Sequence, residues 1–132
     1  MVLVDTSVWI RFLANLAPCA AELDRLLALD EVMGHELVYG ELLIGDQGGR
    51  KKLLTAYERM HQAVTVPHQD VVAFVRDRDL HGRGVGWIDT HLLASAIVGQ
   101  LRLWTADPRL NSVAAMLGVA YDAPGSNPRA QA

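Results

Sequence analysis

Short apolar runs alternate with helical periodicities along almost the whole chain, and this alternation constrains the fold more than any other feature. The first run, Val2-Leu-Val4, is uncharged and stops at Asp5. Another, Leu101-Arg-Leu-Trp-Thr105, stops two residues before Asp107. Runs this short and this apolar suit strands buried on both faces, because half-exposed strands alternate polar and apolar residues. Spacing at i, i+3 and i+4, together with start and stop residues, predicts helices over 7–16, 18–29, 35–45, 50–61, 68–80, 88–98 and 108–117. Further short strands are expected over 31–34, 64–66 and 119–121. Strands separated by helices need crossover connections, so the expectation is an α/β fold whose short central parallel sheet is flanked by helices.

A chain of 132 residues, 51% hydrophobic and 20% charged, supports one globular domain with a single core. Residues 1–123 read as that domain, and 124–132, Pro-Gly-Ser-Asn-Pro-Arg-Ala-Gln-Ala, as a flexible C-terminal tail. Cys19 is the only cysteine, which excludes an internal disulfide and a cysteine-built zinc or iron–sulfur site. The histidines lack zinc-ligand spacing. A charge at Asp5 comes too early for a secretory signal, and no uncharged apolar run reaches the ~20 residues that span a bilayer. These features point to a cytoplasmic protein with no membrane partner.

Open parallel sheets bind ligands at the carboxyl ends of their strands. Asp5 and Asp107 both fall there, each with hydroxyls beside it: Thr6 and Ser7 after Asp5, Thr105 before Asp107. Glu41 lies mid-helix in the apolar Leu37-Val-Tyr-Gly-Glu41-Leu-Leu-Ile44, and Asp89 near the start of the most apolar helix. A carboxylate turned toward a core is costly unless paired or bound to a metal. Other readings stay open for each acid. Asp5 suits a strand-end turn, Asp107 before Pro108 suits a helix N-cap, Asp89 suits the helix dipole, and Glu41 suits an ion pair or an exposed face. Converging carboxylates repel one another unless cations are present, and oxygen-only ligation suits magnesium or manganese. Such ions lower the pKa of an attacking water and stabilise the leaving oxygen of a phosphodiester.

Asp5-Thr-Ser7, Glu41 with Gly45, Asp89 with Leu92-Leu-Ala94, and Thr105-Ala-Asp107 together resemble the motifs of PIN-domain nucleases. Their order and approximate spacing match from Val2 to about Tyr121, and the short length and the Val-Asp-Thr-Ser opening look most like VapC toxins of toxin–antitoxin pairs. The resemblance implies a PIN-like three-layer α/β/α fold and a metal-dependent endoribonuclease. Asp5, Glu41, Asp89 and Asp107 would ligate Mg2+ or Mn2+, with Thr6, Ser7 and Thr105 supporting them. It further implies hydrolysis of transfer or ribosomal RNA to 5′-phosphate ends, a homodimer, and silencing by a VapB-type antitoxin. The resemblance also implies a small hydroxyl residue at the start of the helix that carries Glu41, where this chain has His35.

The net charge of −3 argues mildly against nucleic-acid binding, but four clustered site carboxylates would leave the rest of the chain at +1. Arg83, in the glycine-rich 81–86 loop, and Arg50, at the basic start of a helix, are candidate substrate contacts, with a solvated surface as the other reading. That loop lacks the Lys-Ser/Thr ending of a phosphate-binding P-loop. Trp9, Trp87 and Trp104 are expected in the core, although Trp87 beside Asp89 could stack on a base. A non-catalytic PIN-like RNA- or protein-binding module is the alternative function. A phosphatase of the Asp-x-Asp type is disfavoured because Ser7 stands where the second acid belongs.

Overall fold

The computed structural model describes residues 1–125; positions 126–132 of the expected tail lie outside them. Three parallel strands form a sheet in the order β2-β1-β3 among the described residues. β1 (Val2–Val4) is central, β2 (Val32–Met33) lies on one side and β3 (Arg102–Trp104) on the other. Val2 pairs with Val32 and Arg102, Leu3 with Met33 and Leu103, and Val4 with Trp104. The amide of Asp5 extends this ladder by donating to the Trp104 carbonyl at 3.0 Å, which fixes the acid against β3.

The chain leaves β1 through α1 (Thr6–Leu13) and α2 (Cys19–Ala28) to reach β2. It then runs through α3 (Glu36–Ile44), α4 (Lys51–Glu58), α5 (His68–Asp77) and α6 (Trp87–Gly99) before crossing to β3 and α7 (Pro108–Met116). Because β2 and β3 lie on opposite sides of β1, the strand order reverses at β1, and a crevice is expected at the carboxyl ends of β1 and β3. The sheet is buried as its apolar runs predict: Leu3, Val4 and Leu103 have no exposed surface. Burying one such side chain contributes roughly 1.5–3 kcal/mol.

The two helices that carry the unexplained acids behave differently. α6 is buried continuously from Thr90 through Ala96, as expected for a helix apolar on all sides. α3 buries Val38 and Leu42 but leaves Leu43 and Ile44 exposed, Ile44 to 89%. Trp9 packs edge-on against Phe12 and Tyr57 inside the core.

Two expected strands are absent as such. Residues 64–66 are not a strand; the chain meets the sheet earlier, at a single parallel bridge between Gly34 and Gln62. The Val64 carbonyl instead accepts the Ser95 hydroxyl at 2.6 Å, and Pro67 follows. Residues 119–121 contribute one bridge, Leu103 to Ala120. Trp9 and Trp104 are core residues, but Trp87 is 43% exposed, because it sits on the first turn of α6 before the helix becomes buried.

Candidate active site

Asp5 is the structural centre of the site. It directly follows β1, N-caps α1 and is buried. Its Oδ1 accepts from the Ser7 hydroxyl at 2.5 Å and from the Val8 amide at 3.3 Å, while Oδ2 accepts from the Thr105 hydroxyl at 2.7 Å. Each hydroxyl also accepts a backbone amide: Ser7 Oγ from Ala106 at 3.0 Å, and Thr105 Oγ1 from Asp107 at 3.0 Å. A hydroxyl both donates and accepts, so Ser7 and Thr105 can join a carboxylate on one strand end to the backbone after the next. Burial pushes the Asp5 carboxyl above the usual range; the three hydrogen bonds pull it down, and the charge of Asp89 pushes it further up.

The other three acids each rest on a different element. Glu41 is half-buried on α3, and its Oε1 accepts the Thr6 hydroxyl at 2.7 Å, which ties α3 to the start of α1. Asp89 is half-buried in the first turn of α6, with Oδ2 on the Gly86 amide at 3.0 Å. Asp107 N-caps α7 through Oδ1 on the Arg109 amide at 2.9 Å. The N-cap reading of Asp107 is therefore realised, Asp89 lies in a first helical turn as the dipole reading has it, and Asp5 caps α1 where a strand-end turn was the other reading; each leaves carboxylate acceptor capacity for another partner. Hydrogen bonds bring Asp5 together with Ser7, Thr105 and the backbone of Asp107, and Glu41 with Thr6. Among the described residues no three His, Cys, Asp or Glu side chains are grouped closely enough to hold a cation by themselves. Each acid rests on its own donor, as mutually repelling carboxylates do.

The residues fit a hard divalent cation in their chemistry. The donors are all oxygens, and burial raises the Asp5 carboxyl pKa, a cost to its charged form that a cation would offset. Arg50 points elsewhere: its Nη1 donates to the Leu42 carbonyl at 2.8 Å near the end of α3. Arg83 anchors its Nε on the Asp79 carbonyl at 2.8 Å, within the exposed loop before α6. Trp87, two residues before Asp89, has the His68 and His91 rings at centroid distances of 5.2 Å on each.

A second polar cluster was not legible as such. His35, fully buried, N-caps α3: its Nδ1 accepts from the Leu37 amide at 3.1 Å. Its Nε2 lies 3.0 Å from Ser95 Oγ. Because Ser95 gives its proton to the Val64 carbonyl, it can only accept from His35, so the ring is neutral with its proton on Nε2. Tyr57 closes the cluster, accepting the His35 amide at 2.7 Å. The histidine thus supplies at this helix start the acceptor that a small hydroxyl would give. The second missed group is Glu22, buried on α2, which pairs with Arg25 at 2.7 Å and accepts the Tyr121 hydroxyl. The i, i+3 spacing of Glu22 and Arg25 was the signal in the sequence that could have found it.

The PIN domain family model matches residues 2–116. Ribonuclease VapC32 of Mycobacterium tuberculosis (strain H37Rv) is 44% identical over 121 residues, which cover 91% of this chain and 95% of the relative. The ribonuclease of the same name from strain CDC 1551 / Oshkosh matches equally. Among solved structures, FitAcB from Neisseria gonorrhoeae superposes with a TM-score of 0.62 at 25% identity, covering 94% of this chain and 98% of that one. PAE2754 from Pyrobaculum aerophilum superposes with a TM-score of 0.54 at 18% identity, covering 84% and 77%, which speaks to the fold alone.

Proposed function

The chain belongs to the PIN domain family, and on that premise we propose that it is a metal-dependent endoribonuclease, the toxin of a toxin–antitoxin pair. The observation that carries this reading is Asp5: a buried carboxylate where β1 gives way to α1, held by the Ser7 hydroxyl on its own side and the Thr105 hydroxyl after β3.

Asp5, Glu41, Asp89 and Asp107 are the proposed ligands of Mg2+ or Mn2+. When bound, a divalent cation supplies water activation and stabilises charge on a phosphodiester. Ser7 and Thr105 fix the Asp5 rotamer, and Thr6 fixes Glu41, so the carboxylates keep their aim when the strand of RNA enters. Arg83 and the exposed Trp87 lie on segments leading to Asp89 and suit the phosphates and bases of RNA; Arg50, turned to the end of α3, is a weaker contact. Transfer and ribosomal RNA are the proposed substrates, and the cytoplasm the proposed compartment. Exposed apolar side chains such as Ile44 and Val98 suit burial by a VapB-type antitoxin or by a second copy in a homodimer.

The test is cleavage of total bacterial RNA by the purified protein with Mg2+, Mn2+ or EDTA, followed by mapping of the product ends. The proposal expects discrete cuts with 5′-phosphates that vanish in EDTA and in Asp89→Asn. Cuts that persist in EDTA and leave cyclic phosphates contradict it. Folded protein that binds RNA without cutting it supports the non-catalytic binding module instead.

A further inference from the structure

A cleft of about 420 Å³ lies beside the acid site, lined by Arg83, Pro108, Arg109, Ser112 and Val113. It adjoins Asp107, the N-cap of α7, through Pro108 and Arg109. Two guanidinium groups from different segments reach it, one from the loop before α6 and one from the first turn of α7. Among the described residues neither Arg83 nor Arg109 has a carboxylate partner. Arg83 is braced through Nε on the Asp79 carbonyl, so it is positioned rather than free to swing.

The loop is shaped around the second arginine. Gly84 has φ +80°, and a Cβ there would stand 2.7 Å from Arg109 Cδ and 3.3 Å from its Nη1. Glycine at this position therefore lets the loop backbone lie directly against the Arg109 side chain, in a conformation that other residues rarely adopt. Two like charges lining one cleft repel each other unless an anion lies between them. A planar guanidinium matches the two free oxygens of a phosphodiester, and the Ser112 hydroxyl adds a further donor.

We propose that this cleft is a phosphate subsite, holding through Arg83 and Arg109 a backbone phosphate of the RNA strand next to the phosphodiester at the acid cluster. The inference rests on the ribonuclease reading of that cluster and adds how the strand is held beside it. Gly84 leaves room for the Arg109 side chain, and a positive clamp beside the acids would explain how a chain of net charge −3 grips a polyanion.

The salt dependence of RNA binding tests this directly. Anisotropy of a fluorescent single-stranded RNA is titrated with the wild-type protein, Arg83→Gln, Arg109→Gln and Gly84→Ala, with Ca2+ in place of the catalytic cation. Each lost phosphate contact should make the slope of log K against log[salt] shallower by ~0.7. Gly84→Ala should reproduce the Arg109→Gln slope, because the added methyl displaces that arginine. Arg102→Gln, at the opposite end of β3, should keep the wild-type slope. A merely structural arginine would change affinity without changing the slope. Wild-type slopes in both arginine variants, in protein that binds RNA and cuts it with Mn2+, overturn the subsite and leave the ribonuclease reading intact. Wild-type protein that neither binds RNA nor cuts it overturns both.

Discussion

Neighbouring strands of this sheet end in two buried polar clusters built on opposite principles. After β1, Asp5 is a carboxyl whose charged form burial disfavours, held by two hydroxyls. After β2, His35 is a neutral ring whose two nitrogens each have one partner, with its tautomer fixed by Ser95 and its backbone by Tyr57. The His35 cluster is closed: every polar atom named is satisfied from within the protein, so it stabilises the start of α3 and asks for nothing more. The Asp5 carboxyl, though hydrogen-bonded on both oxygens, keeps a pKa raised by its burial. That difference separates a structural polar cluster from one suited to binding a cation.

Substitutions should divide along the same line. The largest expected effect is on activity: Asp5→Asn should cut RNA cleavage by more than the ~100-fold that follows loss of a supporting partner. Its stability in EDTA, measured by urea unfolding, should be unchanged or higher, since a buried charge is relieved. His35→Ala should do the reverse, losing about 2–4 kcal/mol of stability through the missing cap and the stranded partners. His35→Asn, which keeps a cap acceptor, should lose less in the same assay. Thr105→Val removes one hydroxyl from Asp5 and should lower activity or metal affinity by roughly 10–100-fold without unfolding the protein.

The smallest expected effect is a pH dependence of stability. Burial holds the His35 pKa below its ordinary 6.5, so the unfolded chain binds more protons in the window below that value. Stability should therefore fall as pH drops through 6.5 toward the folded pKa, and His35→Asn should flatten that part of the profile. Unfolding free energies across that pH range, with no difference between the two proteins, would remove the closed cluster from the comparison.

The sequence carried the half of this picture that depends on local pattern. Apolar runs ending at Asp5 and near Asp107 located β1 and β3, and the odd placement of Glu41 and Asp89 marked the remaining acids. What it could not carry was tertiary pairing. Residues 64–66 look like a strand, yet Ser95, distant in sequence, takes the Val64 carbonyl that a ladder would have used. Trp87 has the composition of a core residue, but its exposure follows from where α6 begins to be buried. His35 looks like a departure from the expected cap until Ser95 and Leu37 assign its two nitrogens. The same holds for Arg109, whose relation to Gly84 exists only in the fold.

The central proposal is that Asp5, with Glu41, Asp89 and Asp107, holds a divalent cation. Calorimetric titration of Mn2+ into the wild-type protein and into folded Asp5→Asn tests it most directly. The account predicts saturable binding to the wild type that is lost in the variant. Equal binding by both proteins would contradict it.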